Sequence, residues 1–414
     1  MTLDPVVLEW LQFAARWLHV ITAIAWIGSS FYFIALDLGL RKTPDLPAGA
    51  HGEEWQVHGG GFYHIQKYLV APERLPEHLT WFKWESYWTW VSGFILLALT
   101  YYLGAELYLV DPNKLDIPVW GAVVISIASL VLGWFAYDWI CKSPLGRDNV
   151  QLMLLLFAIL VGLCWVFMQV FSDRAAFLHL GAVVATWMSA NVFLLIIPNQ
   201  KIVVADLKAG RTPNAKYGQI AKQRSTHNNY LTLPVLFFML SNHYPLSYST
   251  QYSVAIAALV LLMGFTIRHF FNTMHSGGGR PYWTWGATAA LFALAVFLST
   301  FPPVTPSEDE ADAAAGAPAQ TTQVAALMSA SDFDAITSIV TSRCAMCHAA
   351  EPGWDGMAHP PKGVMLETPE QIAAHARAIY LQSGRSHAMP PANLSYMEPQ
   401  ERRAIIAWYE NALR

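Results

Sequence analysis

Near its C-terminal end the chain reads Cys344-Ala345-Met346-Cys347-His348. Two thiols at this spacing, followed at once by an imidazole, suit thioether bonds to the vinyl groups of a heme, with His348 as the proximal iron ligand. A zinc site would want a second Cys or His pair at ligand spacing, and a thioredoxin-like site would have no use for the His. Met389, in front of Pro390-Pro391, is the expected sixth ligand, because a loop there can swing a thioether over the opposite heme face. Met/His ligation raises the potential, as an electron acceptor needs. Met346, Met357, Met365, Met397, His375 and His387 are the competitors for that position. The other two cysteines, Cys141 and Cys164, sit in or beside apolar runs and read as buried thiols.

Ionisable residues inside long apolar runs are costly and point to function. His19 and His179 occupy such positions, and two imidazoles brought together could clamp a heme b; the alternative is that each bonds a backbone carbonyl or sits at the interface. A second group gathers at the opposite ends of the runs: Lys83, Glu85, Asp138, Thr226, His227, Asn228, Asn229, Arg268, His269 and Asn272. Amides, imidazoles and a guanidinium suit a planar anion with many hydrogen-bonding edges. Asn228, Asn229 and Arg268, the only arginine in this group, are the expected ligand-binding residues, and Glu85, His227 and His269 the expected catalytic ones. Snorkelling and helix capping are the alternative for each residue taken singly.

The elements that must hold these residues follow from composition. The 414 residues are 54% hydrophobic and only 13% charged, which excludes an ordinary soluble enzyme and puts most of the chain in lipid. Apolar runs near 20 residues are read as helices. Eight occur, at about 10–36, 81–103, 118–140, 151–171, 177–198, 228–244, 251–271 and 283–301. Seventeen Trp and 17 Tyr agree with aromatic belts at both interfaces. Fifteen Lys/Arg fall in the loops of one side, Arg224 counted among them, and Arg16, Lys114 and Arg174 on the other. This bias places both termini outside the cytoplasm. The spans also read as two copies of four: Trp17-Leu18-His19-Val20 pairs with Phe177-Leu178-His179-Leu180, Tyr87-Trp88-Thr89-Trp90 with Tyr230-Leu231-Thr232-Leu233, and Gly133-Trp134-Phe135 with Gly264-Phe265-Thr266.

The expected fold is therefore all-α. An eight-helix transmembrane bundle with a 4+4 repeat spans 1–301, a Pro/Ala/acidic linker 302–324, and a small class I-like cytochrome c domain 325–414. Residues 301–414 hold 13 Asp/Glu against 7 Lys/Arg, and this acidic tail argues against a nucleic-acid partner.

Three features together, Trp17 through Gly28, the stretch His227-Asn228-Asn229-Tyr230-Leu231-Thr232-Leu233-Pro234-Val235 with Ser241 through Pro245, and the fused heme motif, resemble the membrane-bound cytochrome c urate oxidases, also called urate hydroxylases. The resemblance covers nearly the whole chain. It implies oxidation of urate to 5-hydroxyisourate in a bacterial inner membrane. Electrons would pass singly to the chain's own cytochrome c, in the periplasm with both termini, then to a soluble cytochrome c or terminal oxidase, and no hydrogen peroxide would form. The Leu-His and Trp-x-Gly pattern of the first span also looks like the heme-binding helix of small membrane protoporphyrinogen oxidases, which favours His19 as a ligand. The competing readings are a membrane-anchored electron-transfer cytochrome and a quinol-oxidising subunit. The sequence carries no signal for oligomeric state.

Overall fold

The computed structural model describes residues 4–68, 75–111, 114–248, 250–300, 322–354, 357, 360–385, 389–390 and 393–412. It is mostly helical. Eight long helices occupy the positions of the eight apolar runs: α1 (Pro5–Gly39), α2 (Trp84–Leu97), α3 (Val119–Lys142), α4 (Asn149–Val170), α5 (Asp173–Ala190), α6 (Ala215–Leu240), α7 (Ser253–His275) and α8 (Trp283–Thr300). Two of them pass into π-helical turns, α2 at Ala98–Tyr102 and α5 at Asn191–Ile196, after which α5 resumes as Ile197–Lys208. Five stretches, Val6–Gly39, Val119–Lys142, Asn149–Val170, Asp173–Lys208 and Ser253–His275, are long and apolar enough to cross a membrane, which is consistent with a membrane protein.

Local signals start several of these helices. Asp4 caps α1 by accepting from the Val6 and Val7 amides, with Pro5 in the first turn, and Asp148 does the same for α4. Helix α5 runs through the centre, with most of its side chains buried, while α1 leaves Trp10, Phe13, Trp17, Ile21 and Ile24 exposed, as a helix facing lipid would. Small residues permit close crossings: a Cβ on Gly264 would run into the Pro234 ring, and one on Gly93 would lie 2.8 Å from Cε1 of His19. Helices α3 and α4 diverge instead, and an apolar groove of about 450 Å³ opens between them, with Tyr137 and Trp187 on its inner wall.

Two expectations need correction. The chain is not all-α, since β1 (Ala50–His58) and β2 (Gly61–Tyr68) form an antiparallel hairpin in what read as a loop. Its turn, Gly59-Gly60, has positive φ at both positions, the geometry that matches strand twist. The sixth run, expected from about residue 228, begins at Ala215, so its polar first half is helical and Arg224 is a buried helix residue, not a loop charge.

The C-terminal residues have their own core, built from α9 (Phe333–His348), α10 (Pro399–Ala412) and short helical turns between them, with Ile336, Val340, Ile405 and Trp408 at its centre. A short helix begins at Thr322, inside the expected linker, whose residues up to 321 lie outside the described ones. This unit rests on the end of the bundle where α1 begins: Val6 packs against its core and Arg377 lies 3.6 Å from Glu9. That end is called the near end below, and the other the far end.

Candidate functional site

At the far end, polar residues from α3, α5 and α6 converge. The Tyr137 hydroxyl of α3 lies 2.8 Å from Nδ1 of His227 and accepts from Nδ2 of Asn191 at 3.0 Å. Asn191 also donates to Oδ1 of Asn228 at 2.9 Å, and Asn228 donates to the Met188 carbonyl at 3.0 Å. Trp187 stacks on Tyr137 with centroids 4.6 Å apart and planes 10° apart. Arg224, 1% exposed, pairs with Asp138 at 2.7 Å and lies 4.8 Å over the Tyr137 ring. Asp138 also takes Lys142 at 2.5 Å.

Arg268 has a different setting. It is 6% exposed, yet its described partners are neutral: Oδ1 of Asn229 at 3.3 Å, Oδ1 of Asn272 at 3.2 Å and the face of Phe31 at 4.1 Å. A buried cation held only by amides and an aromatic ring retains most of its desolvation cost, and an incoming anion would relieve it. Several buried polar atoms make no hydrogen bond: Nδ2 of Asn229 beside Arg268, and, in the Tyr137 group, Oδ1 of Asn191, Nε1 of Trp187, and Nε and Nη1 of Arg224. Such atoms mark where a ligand or water would bind.

The expected residues fall into two groups along α6: His227 and Asn228 meet Tyr137 and Asn191, and Asn229 meets Arg268. His269 joins neither. It stacks on Phe265 at 5.8 Å and approaches Trp283 at 6.1 Å, because successive residues of a helix point about 100° apart. Glu85 stands half-buried in the first turn of α2, its backbone carbonyl accepting from Thr89. Arg268 is not the only arginine of the group, since the buried Arg224 pairs with its Asp138. Sequence reasoning missed Tyr137, Trp187, Asn191 and Arg224. Asn191, a lone amide in an apolar run, was the readable signal.

His19 and His179 are held by different partners. Nδ1 of His179 donates to the Ala175 carbonyl at 2.7 Å and Nε2 lies 2.6 Å from Oγ of Ser126, so both ring nitrogens are engaged. Nδ1 of His19 bonds the Thr89 carbonyl at 2.9 Å, at the α1–α2 crossing. A heme b held by both rings would use Nε2 of each, which keeps the two carbonyl bonds and displaces Ser126 from His179.

In the C-terminal unit, Cys344 and Cys347 share the last turn of α9. Nδ1 of His348 bonds the Val364 carbonyl at 2.8 Å, which leaves Nε2 for iron. Met389 is half-buried, its amide bonded to the Gln382 carbonyl at 2.8 Å and its carbonyl to Arg402 at 2.8 Å. This donor set fits a heme c. Among the described residues no group of three or more His, Cys, Asp or Glu is placed to hold a bare metal ion. Burial, reinforced by the Cys347 thiol, pushes the Cys344 thiol up to about 12. Of the competing ligands, Met397 is buried in the core, Met346 is exposed, Nδ1 of His375 bonds the Gln371 carbonyl, and His387 lies outside the described residues.

A family model described as "Urate oxidase N-terminal" matches residues 5–299, the whole helical bundle. The chain belongs to the urate oxidase N-terminal family. Its function is accordingly urate-related, that of an oxidoreductase acting on urate, and the far-end basket lies inside the matched region, whereas Cys344, Cys347, His348 and Met389 lie beyond it. No curated protein and no solved structure matches the chain.

Proposed function

We propose that this urate oxidase family member binds urate in the far-end basket and oxidises it with water to 5-hydroxyisourate, releasing two protons and two electrons. The observation that carries the reading is Arg268, a buried guanidinium with neutral partners only among the described residues, beside the unpaired Nδ2 of Asn229. Urate is a planar monoanion at neutral pH, so it would supply the missing counter-charge and accept from that unpaired amide. Asn228 and Asn229 orient it. His227 takes the proton lost on oxidation at Nε2, in the tautomer whose Nδ1–H donates to the Tyr137 hydroxyl oxygen and so fixes the ring. Glu85, at the start of α2, is the second proton acceptor. His269, stacked away from the basket, has no role in this reading.

A heme c bound through Cys344 and Cys347, with His348 and Met389 as axial ligands, would supply one-electron acceptance. The C-terminal unit would then pass electrons to a soluble cytochrome c or a terminal oxidase, and no peroxide would form. The loop charges support an inner-membrane protein with both termini and this unit in the periplasm.

A quinol-oxidising role is the second reading, favoured by the apolar groove that reaches Tyr137 and Trp187 from the side of the bundle. Mixing the purified ferric protein separately with urate and with a reduced quinol analogue discriminates the two. A heme α-band that rises with urate alone supports urate oxidation; one that rises only with quinol replaces it.

A further inference from the structure

The β1–β2 hairpin carries an apolar surface that the far-end chemistry does not use. Val57 is 74% exposed and Phe62 78%, and Trp55 and Tyr63 are exposed beside them. In the hairpin register Trp55 pairs with His64 and Val57 with Phe62, so these four share one face, and the Trp55 and His64 rings stack at 4.1 Å. The other face is turned to α1. There Gln56 accepts from the Tyr32 hydroxyl at 2.7 Å, and Lys67 donates to Asp37 at 2.6 Å. Charge is segregated along the same length. Arg41, Glu53, Glu54 and Lys67 gather at the open end, where Arg41 and Glu53 exchange backbone hydrogen bonds, while residues 55–66 contain no Asp, Glu, Lys or Arg.

The bonds to α1 fix how deep this surface lies. Helix α1 runs from the near end to the far end, and the hairpin's contacts step back along it, from Arg41 to Asp37 to Tyr32, as the strands approach their turn. Tyr32 stands about 10 Å inside Gly39, the last residue of α1. The turn at Gly59-Gly60 lies beyond Gln56, so extended chain carries it up to about 10 Å deeper still. Exposed aromatic rings mark a lipid interface at the level of Tyr32: Phe33 beside it, Phe82 against Phe33 at 4.7 Å, and Trp84 with Lys83 4.9 Å over its ring. Farther along α1 toward the near end, Ile21 and Ile24 point outward, as at hydrocarbon depth. The hairpin is therefore folded back, tip first, along a lipid-facing helix.

We propose that the apolar face of this hairpin, with Val57 and Phe62 foremost, inserts into the lipid interface at the far end and anchors that end of α1. The inference rests on the inner-membrane reading above. Among the described residues no third strand joins the sheet, so its outer edges carry backbone groups that need water. The hairpin accordingly sits among headgroups and upper acyl chains and does not cross the hydrocarbon. A second copy of the chain is the competing occupant, and the uncharged tip beside a span's aromatic belt favours lipid. The anchor also bears on the proposed urate site. Phe31, next to the Tyr32 that the hairpin grips, lies 4.1 Å from the Arg268 guanidinium, so the hairpin steadies the part of α1 that packs there.

Spin labelling of the full-length protein in phosphatidylcholine/phosphatidylglycerol vesicles tests the proposal. A nitroxide on Phe62→Cys, Val57→Cys, Lys42→Cys or Ile24→Cys, one variant at a time, compares collisions with oxygen, which concentrates in lipid, and with a nickel chelate confined to water. Of the native cysteines, Cys141 and Cys164 are buried and Cys344 and Cys347 are the sulfurs assigned to heme, so the unsubstituted protein supplies the background. Labels on Phe62→Cys and Val57→Cys should favour oxygen, as should the mid-span label on Ile24→Cys, and the label on Lys42→Cys should favour nickel. Each hairpin variant keeps the other's apolar side chain, so neither removes the anchor it reports on. Nickel preference in both hairpin variants, with oxygen preference in Ile24→Cys, overturns the insertion and leaves the membrane reading intact. Nickel preference in Ile24→Cys as well overturns the membrane reading itself. Spin–spin broadening in Phe62→Cys that vanishes on dilution with unlabelled protein would place a second copy on this face and overturn the assignment to lipid.

Discussion

Replacing Arg268 with Gln should have effects of opposite sign with and without urate. In the free protein the guanidinium is buried, and its hydrogen bonds to Asn229 and Asn272, at 3.3 and 3.2 Å, are at the long end of the useful range. Burying an ion without a counter-ion costs several kcal/mol, two long bonds to amides return about 1 kcal/mol, and a cation over a ring returns about 1–2 kcal/mol. Removing the charge should thus stabilise the empty bundle by about 1–2 kcal/mol. With urate bound, the arginine would make charge-assisted bonds of about 1.5–3 kcal/mol each, so loss of the fork should raise the urate Kd about 100-fold. At urate 100 times the wild-type Kd, mass action stabilises wild type by about 2.7 kcal/mol and the variant by about 0.4 kcal/mol. The two melting curves should therefore cross: the variant melts higher without urate and lower with it. Arg268→Lys should keep the charge and its cost while losing the fork, so it should melt no higher than wild type and still bind urate weakly. Thermal unfolding of the detergent-solubilised, heme-reduced protein at several urate concentrations measures all of this. A variant that melts lower without urate and binds it with wild-type affinity would show that Arg268 is a structural residue and would remove the charge argument for the basket.

Met389→Ala should leave the heme attached while lowering its potential and abolishing the near-infrared band of a sulfur–iron bond; an unchanged band assigns the ligand elsewhere. Urate turnover should proceed anaerobically with ferricyanide as acceptor and without stoichiometric peroxide, and should stop when residues from about 302 onward are deleted; peroxide formed one for one with urate refutes electron transfer to the C-terminal unit. Glu401 tests the packing of the heme-motif helix. Its burial alone would raise the carboxyl, but the Arg343 fork at 2.9–3.1 Å and the Glu398 amide prevail and hold it below 4.5. A depressed native pKa contributes stability above the ordinary carboxylate value that is lost as pH falls through the native one, so the C-terminal unit should lose stability as pH falls below the ordinary carboxylate range, and Glu401→Gln should flatten that slope. Gly264→Ala should destabilise the bundle by about 1–3 kcal/mol, because its methyl would meet the Pro234 ring; an unchanged melting temperature would mean that α6 and α7 pack less closely.

What the sequence determined by itself is local. Apolar runs of bilayer length announced the helices because every residue of a span carries the signal, and the Cys344, Cys347, His348 spacing is contained within one helical turn. The alternating residues either side of Gly59-Gly60 also carried a hairpin signal, though among so many charged and polar neighbours they read as loop. Composition could not place Arg224. It belongs to a polar run that looks like loop, and only the packing of α6 against α3 turns it inward to Asp138. Arg268 and His269 are adjacent in sequence and of similar chemistry, yet helix geometry sends one to Asn229 and the other to Phe265. Tyr137 and Trp187 are not distinguishable in the sequence from the other Tyr and Trp that agree with aromatic belts. Whether an aromatic or an arginine packs, faces lipid or lines a basket depends on neighbours distant in sequence, and those contacts exist only once the helices have assembled.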